Sequence, residues 1–252
     1  MPPSVPQPLA GQAVLVTGAA RRVGAAVARV LHAAGASLVL HYRRSAEEAA
    51  ALVREFDAAR PGSAAALEGD LLDTGRLPHL IEAASAAHGR LDMLVNNASS
   101  FYPTPMGEIT EAQWEDLIGT NLKAPLFLAQ AAAGPLRSTR GLVLNITDIH
   151  GLRPLRRHAV YSVAKAGLVM LTKALARELA PEVRVNAIAP GPVMWPATGM
   201  APELRTKIVE RTLLKRSGSP EDVARAALFL ACDAPFITGQ VLAIDGGRSV
   251  GW

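Results

Sequence analysis

The chain has 252 residues, half of them apolar, and a mean hydropathy of +0.20, which is enough for one α/β domain with a substantial core. Its formal net charge is +4, but the Lys and Arg residues are scattered and form no long cationic run. This favours a phosphorylated small ligand over nucleic acid. No apolar run reaches the roughly 18 residues of a membrane span. The Pro-rich residues 1–10 do not resemble a signal peptide, so we expect a flexible lead-in and a cytoplasmic protein.

Seven short apolar runs alternate with stretches of helical length along the rest of the chain. They predict strands at residues 13–16, 37–40, 64–68, 93–96, 142–146, 183–188 and 240–244. Several of the runs are apolar on both faces, as buried parallel strands should be. The alternation predicts an α/β fold over residues 11–252, a single-domain Rossmann-like doubly wound sheet. We expect seven mainly parallel strands with helices on both faces.

The alternation is interrupted after the sixth predicted strand. The segment there reads GPVMWPATGMAP, and a helix is predicted from about Pro202. A long loop rich in Pro and Gly, followed by a helix, is typical of a lid over a site. We place this substrate lid at about residues 190–215. The next helix has a marked start, because Ser219 can cap it and Pro220 suits its first position.

A glycine-containing turn follows the first strand directly and leads into a helix. It reads TGAARRVG, and its glycines are Gly18 and Gly24. Backbone N–H groups and the positive end of a helix dipole bind phosphate at such a turn. Its position in a βαβ unit therefore predicts a dinucleotide site. Arg22 stands where a middle glycine is common, and it either folds over the pyrophosphate or lies in solvent on the first helical turn.

The second predicted strand ends without an acid. An NAD site usually has Asp or Glu there to bind the ribose 2′-hydroxyl. This chain has Arg43, Arg44 and Ser45 instead. Such a set suits a 2′-phosphate through charge-assisted hydrogen bonds. A basic turn in solvent is the alternative, but the location favours NADP(H).

A tyrosine and a lysine lie on one face of a predicted helix, and a carboxylate precedes them. They are Tyr161 and Lys165, four residues apart, and Asp148, thirteen residues before the tyrosine. The pairing of Tyr161 with Lys165 suggests a proton donor tuned by a nearby cation. Asp148 is either part of the same donor group or a cap for a turn.

In this order, the motifs resemble the short-chain dehydrogenase/reductase superfamily from about Gly11 to the C-terminus. The matching residues are TGAARRVG at 17–24, Asp70 after the third strand, NNAS at 96–99, Asn121, Tyr161 with Lys165, and Pro190 with Gly191. HYRRS at 41–45, NNASSFYPTP at 96–105, and Asp148 in place of the usual catalytic Ser further resemble the pteridine reductases. This narrower resemblance implies NADPH-dependent reduction of pterins or dihydrofolates by a homotetramer.

The resemblance also implies roles for individual residues. The catalytic residues are then Asp148, Tyr161, Lys165 and Asn121, the last holding a supporting water. The cofactor-binding residues are Gly18, Arg22, Val23, Gly24, Arg43, Arg44, Ser45, Asp70, Leu71, Asn97, Ala98, Ser99, Tyr161, Lys165, Pro190, Gly191 and Val193, with Asp70 and Leu71 flanking the adenine. The pterin-binding residues are Arg22, Ser99, Phe101, Asp148, Tyr161 and Trp195. Phe101 would stack on one face of the pterin and the nicotinamide on the other.

Some of these residues have other interpretations. Phe101 could be a core aromatic, and Trp195 could cap the core instead of facing substrate. His150 and His158 lack the company of other metal ligands, so solvated or capping roles are expected and no metal site is predicted. A cationic cluster could recognise a folate glutamate, pair across a subunit interface or form a solvated face. The cluster consists of Arg153, Arg156 and Arg157.

Three hypotheses for the function follow. The first is an NADPH-dependent pteridine reductase, in which a reduced C=N bond leaves a ring nitrogen that needs a proton. Asp148 and Tyr161 would then act as a coupled donor pair, with Lys165 lowering the Tyr161 pKa. The second is a general carbonyl reductase acting on ketoacyl or steroid-like substrates, which Asp148 and SSFYPTP count against. The third is a non-catalytic NADP-binding sensor or scaffold, which the retained Asn121, Tyr161 and Lys165 count against.

Overall fold

The computed structural model describes residues 7–195 and 199–251. Strands and helices alternate along this part of the chain. The strands are β1 (Ala13–Val16), β2 (Ser37–Tyr42), β3 (Ala64–Glu68), β4 (Met93–Asn96), β5 (Leu142–Ile146), β6 (Arg184–Pro190) and β7 (Val241–Ile244). The helices are α1 (Arg22–Ala33), α2 (Ala46–Ala59), α3 (Leu77–His88), α4 (Glu111–Ile118), α5 (Ala124–Thr139), α6 (Ala159–Leu179), α7 (Pro202–Glu210) and α8 (Pro220–Cys232).

The seven strands form one sheet in the order β3-β2-β1-β4-β5-β6-β7, and all neighbouring pairs are parallel. This confirms the predicted doubly wound fold. The strand order reverses between β1 and β4, where the carboxyl ends of the strands open a crevice. The predicted strands are right to within two residues; β2 and β6 each run two residues beyond their predicted ends.

Helices cover both faces of the sheet, and the side chains of each strand alternate between the two cores. On β1, Val14 and Val16 pack with α1 and α8, whereas Leu15 packs with α3 and α5 on the opposite side. All three residues are fully buried. Burial on both faces explains why the strands read as continuous apolar runs.

The helix α6 carries Tyr161 and Lys165. By length and composition it could cross a membrane, since it has 21 residues with a window of mean hydropathy 1.3. Half of that window is buried within the protein. Its buried residues pack against β6 and the segment after β5. It is therefore a core helix that places the catalytic candidates beneath the crevice.

The structured part of the chain begins earlier than the sequence predicted. Leu9 is only 2% exposed, and its N–H donates to the Ala34 carbonyl over 2.9 Å. It belongs to the core cluster that includes α1. The predicted flexible lead-in over residues 1–10 is thus too long at its C-terminal end. Residues 1–6 lie outside the described part of the chain.

The two predicted helix starts near the lid are confirmed. The helix α7 begins at Pro202. Ser219 caps α8 through a reciprocal box with Asp222, in which each side chain accepts from the other residue's backbone N–H. Residues 196–198 of the predicted lid lie outside the described residues. The function of this segment as a lid stays a prediction.

Candidate active site

The crevice at the switch point is built by two loops pressed closely together. Gly18 has φ +59°, and a Cβ at this position would lie 3.0 Å from the Ala98 Cα. A Cβ on Gly24 would lie 2.6 Å from the Asn97 Nδ2. Only glycine fits at these two positions, the first because of backbone conformation and the second because of contact. The structure therefore brings the predicted turn after β1 against the predicted loop after β4.

Reciprocal hydrogen bonds hold the two loops in register. The Asn97 side chain donates to the carbonyls of Thr17 (2.8 Å) and Gly18 (3.1 Å). The Thr17 hydroxyl accepts from the N–H groups of Asn97 (2.9 Å) and Ala98 (3.0 Å). Because these bonds occupy inward-facing groups, the outer side of the turn and the start of α1 remain available for a pyrophosphate.

Arg22 connects the glycine turn to the lid segment. It has φ +57°, a backbone conformation that a residue with a side chain adopts at some cost. Its guanidinium donates to the Trp195 carbonyl over 3.2 Å. The guanidinium of Arg205 lies 5.5 Å from the centre of the Trp195 ring. Neither contact was predicted from the sequence, and Val23 continues α1 as a partly buried residue.

The end of β2 presents the predicted basic group, with one unexpected pairing. Arg43 lies 3.7 Å from the Asp70 carboxylate. The sequence predicts separate roles for these residues, Arg43 at the phosphate and Asp70 at the adenine. Arg44 is exposed, and Ser45 precedes α2 without its side chain capping that helix. Leu71 is 5% exposed and packs in the core. Its side chain is thus largely occupied by the core, and the contact of Leu71 with an adenine stays a prediction.

The opposite wall of the crevice comes from the end of β6. Pro190 is buried, and the Gly191 N–H donates to the Ile244 carbonyl over 3.0 Å. A Cβ on Gly191 would lie 2.6 Å from the Asp245 Cβ, so this position requires glycine as well. Val193 is 8% exposed and packs in the core cluster with α1 and α8. The lid segment thus starts from a rigid base.

Asp148 makes the hydrogen bonds that each of the two predicted roles requires, one with each oxygen. It follows β5 and starts a single 3-10 turn, where its Oδ1 accepts from the His150 N–H over 2.8 Å. Its Oδ2 accepts from the Tyr161 hydroxyl over 2.7 Å. The first bond fixes the carboxylate, and the second joins it to the proton donor.

Tyr161 and Lys165 are both buried, at 4% and 2% exposure. Burial, and next the Asp148 charge, raise the pKa of Tyr161 well above its usual value, while the neighbouring Ser99 hydroxyl acts in the opposite direction. Burial lowers the pKa of Lys165 to about 8, and Asp148 opposes this shift. Lys165 donates to the Ile146 carbonyl over 3.0 Å, and its Nζ lies 5.7 Å from the Tyr161 ring centre.

The net shift of the Tyr161 pKa is therefore upward, caused by desolvation of the phenolate and by the adjacent carboxylate. The lowering of this pKa by Lys165 and the nicotinamide cation stays a prediction. The phenol keeps its proton until a substrate atom takes it, so Tyr161 is an acid throughout the ordinary pH range.

Asn121 lies in a π-helical turn, Gly119–Lys123, between α4 and α5. Such turns are frequent at functional sites. Its Nδ2 donates to the carbonyls of Leu117 and Ser100, both at 2.9 Å, and its Oδ1 accepts from the Ser99 hydroxyl over 2.6 Å. Asn121 thus holds the loop after β4, a role that was not predicted. Its holding of a water stays a prediction.

Phe101 lies at the site and not in the core. It is 47% exposed, which excludes the core interpretation. Its ring stacks on His158 at 4.8 Å and meets Tyr161 edge to face, also at 4.8 Å. His158 is a site neighbour that sequence reasoning missed, although its position three residues before Tyr161 could have indicated it. Its Nδ1 lies 2.9 Å from the Arg156 carbonyl.

Alternate residues of the loop after β4 anchor it to the protein. The hydroxyls of Ser100 and Tyr102 donate to the two oxygens of Asp116, over 3.4 Å and 3.0 Å. Burial, together with Asp116, raises the pKa of Tyr102 to about 12. The Thr104 N–H donates to the Arg157 carbonyl over 2.6 Å. Because the residues on both sides of it are anchored, Phe101 is held against Tyr161.

The structure divides the cationic cluster before α6. Arg153 is partly buried, and its guanidinium donates to the Gly251 carbonyl over 3.3 Å. Arg156 and Arg157 are exposed, and Arg157 has φ +64°. The latter two residues fit the solvated-face interpretation, whereas Arg153 fixes the C-terminal segment.

A switch-point crevice with a glycine turn, and a buried Tyr-Lys pair below it, define a nicotinamide-dependent oxidoreductase. Comparison with known proteins specifies the family. A family profile described as "Enoyl-(Acyl carrier protein) reductase" matches residues 18–249. The chain belongs to the short-chain dehydrogenase/reductase family.

Several curated relatives match the chain over nearly its whole length. It is 35% identical to Pteridine reductase 1 of Leishmania tarentolae, over 94% of this chain and 96% of that protein. It is 38% identical to a 3-oxoacyl-[acyl-carrier-protein] reductase of Synechocystis sp., over 95% and 97%. It is 36% identical to 3beta-hydroxysteroid dehydrogenase 1 of Eggerthella lenta, over 96% and 95%.

A solved structure supports the identity of the cofactor. It is a crystal structure of a blue fluorescent protein from a metagenomic library in complex with NADPH, with a TM-score of 0.90 and 34% identity. The match covers 96% of this chain and 99% of that one. The glycine turn and the acid-free end of β2 fit the same dinucleotide, so the cofactor of this protein is NADP(H).

Proposed function

We propose that the protein reduces pterins to their tetrahydro forms with NADPH. The substrates are of the dihydrobiopterin or dihydromonapterin type, with biopterin and dihydrofolate as further candidates. One observation carries the proposal. The Asp148 carboxylate accepts a 2.7 Å hydrogen bond from the Tyr161 hydroxyl, at a position where most of the family has a neutral serine.

The acid fits the product of C=N reduction. NADPH, when bound, supplies a hydride to the ring carbon, and the adjacent nitrogen then needs a proton. Tyr161 and Asp148 share one proton over a short distance, so they can deliver it as a pair. Lys165, buried beside the tyrosine, offsets the negative charge that remains on the pair after transfer.

The loop after β4 supplies a surface that suits a flat bicyclic ring. One face of Phe101 is covered by His158, and about half of the residue is exposed. The edge contact with Tyr161 places the free part of the ring beside the proton donor. A planar heterocycle stacked there would have its ring nitrogen near the donor pair.

The second candidate is a carbonyl reductase of the ketoacyl type, because a 3-oxoacyl-[acyl-carrier-protein] reductase is 38% identical to this chain. Tyr161 and Lys165 are sufficient for that reaction. Asp148 opposes it, since a carboxylate would lie beside the oxyanion that develops on a carbonyl oxygen. The third candidate, a non-catalytic NADP-binding sensor or scaffold, does not explain why the buried acid and cation are retained together.

The three candidates differ in NADPH oxidation. Dihydrobiopterin, dihydrofolate and a 3-oxoacyl thioester are compared in parallel, with the Asp148→Ser variant as the matched control. We expect the native enzyme to prefer the pterin by at least about 100-fold in kcat/KM, the size of a general-acid contribution. The variant should lose this preference. Oxidation by the thioester alone would support the second candidate, and no oxidation with any substrate would support the third.

We also propose that the enzyme is a cytoplasmic homotetramer. Val163 and Met170 are exposed apolar residues seven positions apart on one face of α6, and Phe236 near β7 is fully exposed. Such surfaces are candidates for subunit contacts. Light scattering after gel filtration measures the mass, and a monomer at micromolar concentration would contradict the assembly. Cell fractionation tests the location.

A further inference from the structure

The imidazole of His41 connects two segments of the cofactor cradle. His41 lies near the end of β2 and is 2% exposed. Its Nδ1 accepts from the Gly18 N–H over 3.2 Å, and its Nε2 lies 3.1 Å from the Gly69 carbonyl. The backbone of the same residue accepts from the Ala19 N–H over 2.9 Å. Both the side chain and the main chain of His41 therefore hold the glycine turn.

The two partners determine the state of the ring. A backbone N–H can only donate, so the Nδ1 that faces Gly18 must be without a proton. A carbonyl can only accept, so the Nε2 that faces Gly69 must carry the proton. His41 is thus neutral and in one tautomer. Burial lowers its pKa to about 4, against smaller opposing effects of Gly69 and Asp70.

The segments that His41 connects are those that hold the adenosine half of a dinucleotide. Gly18 belongs to the turn that faces the pyrophosphate. Asp70, which is predicted to flank the adenine, follows Gly69 and pairs with Arg43 at 3.7 Å. Arg43 and Arg44 continue β2 two and three residues after His41. Pyrophosphate, adenine and 2′-phosphate contacts therefore all lie within a few residues of this one ring.

We propose that His41 is a positioning residue for NADP(H). Its neutral Nε2–H ring holds the pyrophosphate turn, the adenine wall and the 2′-phosphate arginines at fixed separations. It contacts the protein and not the reacting atoms. Without the ring, Gly18 and Gly69 each lose a buried partner, and the turn is free to shift relative to the end of β3.

The test compares three substitutions that remove different bonds. His41→Phe keeps a ring and removes both bonds, His41→Asn keeps an acceptor near Nδ1, and His41→Gln keeps a donor near Nε2. The matched control is His32→Phe. His32 is another buried histidine, near the end of α1, and its ring lies 2.7 Å from the Ser63 hydroxyl at the amino-terminal end of β3. Among the described residues, no hydrogen bond joins its ring to the glycine turn.

The readouts are the Kd for NADPH by fluorescence titration and the unfolding free energy of the protein without ligand. We expect His41→Phe to raise the Kd at least about tenfold, with intermediate values for the Asn and Gln variants. The KM for NADPH should rise with it, while kcat at saturating NADPH stays within about twofold. His32→Phe should lose stability and keep its Kd. A Kd for His41→Phe within about twofold of the native value would overturn the proposal.

A measurement on the native protein tests the proposal even if the variants do not fold. A long-range proton–nitrogen NMR spectrum distinguishes the histidine tautomers. We expect His41 as the neutral Nε2–H form, with a signal that shifts when 2′-phospho-ADP-ribose is added, while the His32 signal does not move. An Nδ1–H or charged ring, or a His41 signal unaffected by the ligand, would overturn the proposal even if every variant failed to fold.

Discussion

The two halves of the crevice are held together in different ways. The cofactor half consists of the ends of neighbouring strands, joined by backbone bonds, by the side chains of Thr17 and Asn97 and by one buried ring, His41. The substrate half consists of loops from distant parts of the chain, joined by side chains such as Asp116 and Asp148. The first half follows from the geometry of the sheet, whereas the second depends on which side chains the loops carry.

This difference explains how relatives can share a cofactor fold and differ in substrate. Proteins with names as different as pteridine reductase, hydroxysteroid dehydrogenase and 3-oxoacyl reductase are 35–38% identical to this chain. A change of one loop side chain alters the substrate half without disturbing the sheet. A change in the cofactor half disturbs contacts that are repeated along strand ends. Substitutions in the two halves should therefore have separable effects.

The largest effect is expected at the donor pair. Tyr161→Phe and Asp148→Ser should each lower kcat/KM for a dihydropterin by at least about 100-fold, because each removes part of a general acid. Steady-state kinetics checks the activity, and NADPH titration should show an almost unchanged Kd. The kcat/KM of the double variant should be little lower than that of the less active single variant, because the two residues act as one unit. Near-normal turnover by Asp148→Ser would make the carboxylate structural.

In the cofactor half, the neutral state of His41 predicts a loss of stability in acid. The pKa is lowered from 6.5 to about 4 on folding, so the unfolded chain binds a proton in this range and the native protein does not. His41 contributes almost nothing to the pH dependence of the unfolding free energy above about pH 6.5. Below this value, the stability falls as the pH falls towards about 4. Between about pH 7 and about pH 5 the loss should be on the order of 2 kcal/mol.

Urea unfolding at the two pH values measures this loss. His41→Phe provides the control, because every other titrating group remains, including His32, whose pKa burial also lowers. Between about pH 7 and about pH 5, the unfolding free energy of the variant should fall by about 2 kcal/mol less than that of the native protein. Equal slopes would show that His41 is already charged in the native protein, contrary to its two hydrogen bonds.

Within the cofactor half, Arg44→Ala should affect the binding of NADPH and NADH differently. Arg44 is exposed at the end of β2, next to the Arg43–Asp70 pair. A charge-assisted bond to the 2′-phosphate is worth about 1.5–3 kcal/mol, so NADPH affinity should fall about tenfold or more. NADH lacks this phosphate and should bind almost as before. Titration with both cofactors checks the result, and equal losses would remove Arg44 from the phosphate site.

The smallest effect is expected at Phe101. Phe101→Ala should raise the KM for a dihydropterin about fivefold, since stacking contributes about 1 kcal/mol beyond area burial. The Kd for NADPH should not change, because the residue lies in the substrate half. Phe229→Ala, which removes a phenylalanine of similar exposure on α8, is the control. A loss of NADPH binding without a change in KM for the pterin would place Phe101 in the cofactor half.

The sequence alone determined the sheet and its ligand-binding edge. Buried parallel strands read as apolar runs, and glycines marked the turns, so the strand bounds were right to within two residues. The absence of an acid after β2 indicated NADP(H) for the same local reason. Spacing on one helix placed Tyr161 beside Lys165. In each case the cause lies within a few residues of the effect.

The tertiary structure decided what depends on residues distant in sequence. Spacing did not show that Arg43 pairs with Asp70, that Asp116 anchors the loop of Phe101, or that His158 stacks on it. Local pattern misjudged Leu9, which packs in the core cluster of the first helix. It also did not anticipate the net rise of the Tyr161 pKa, which burial and the Asp148 charge cause. Desolvation is a property of the folded surroundings, and only packing determines its size.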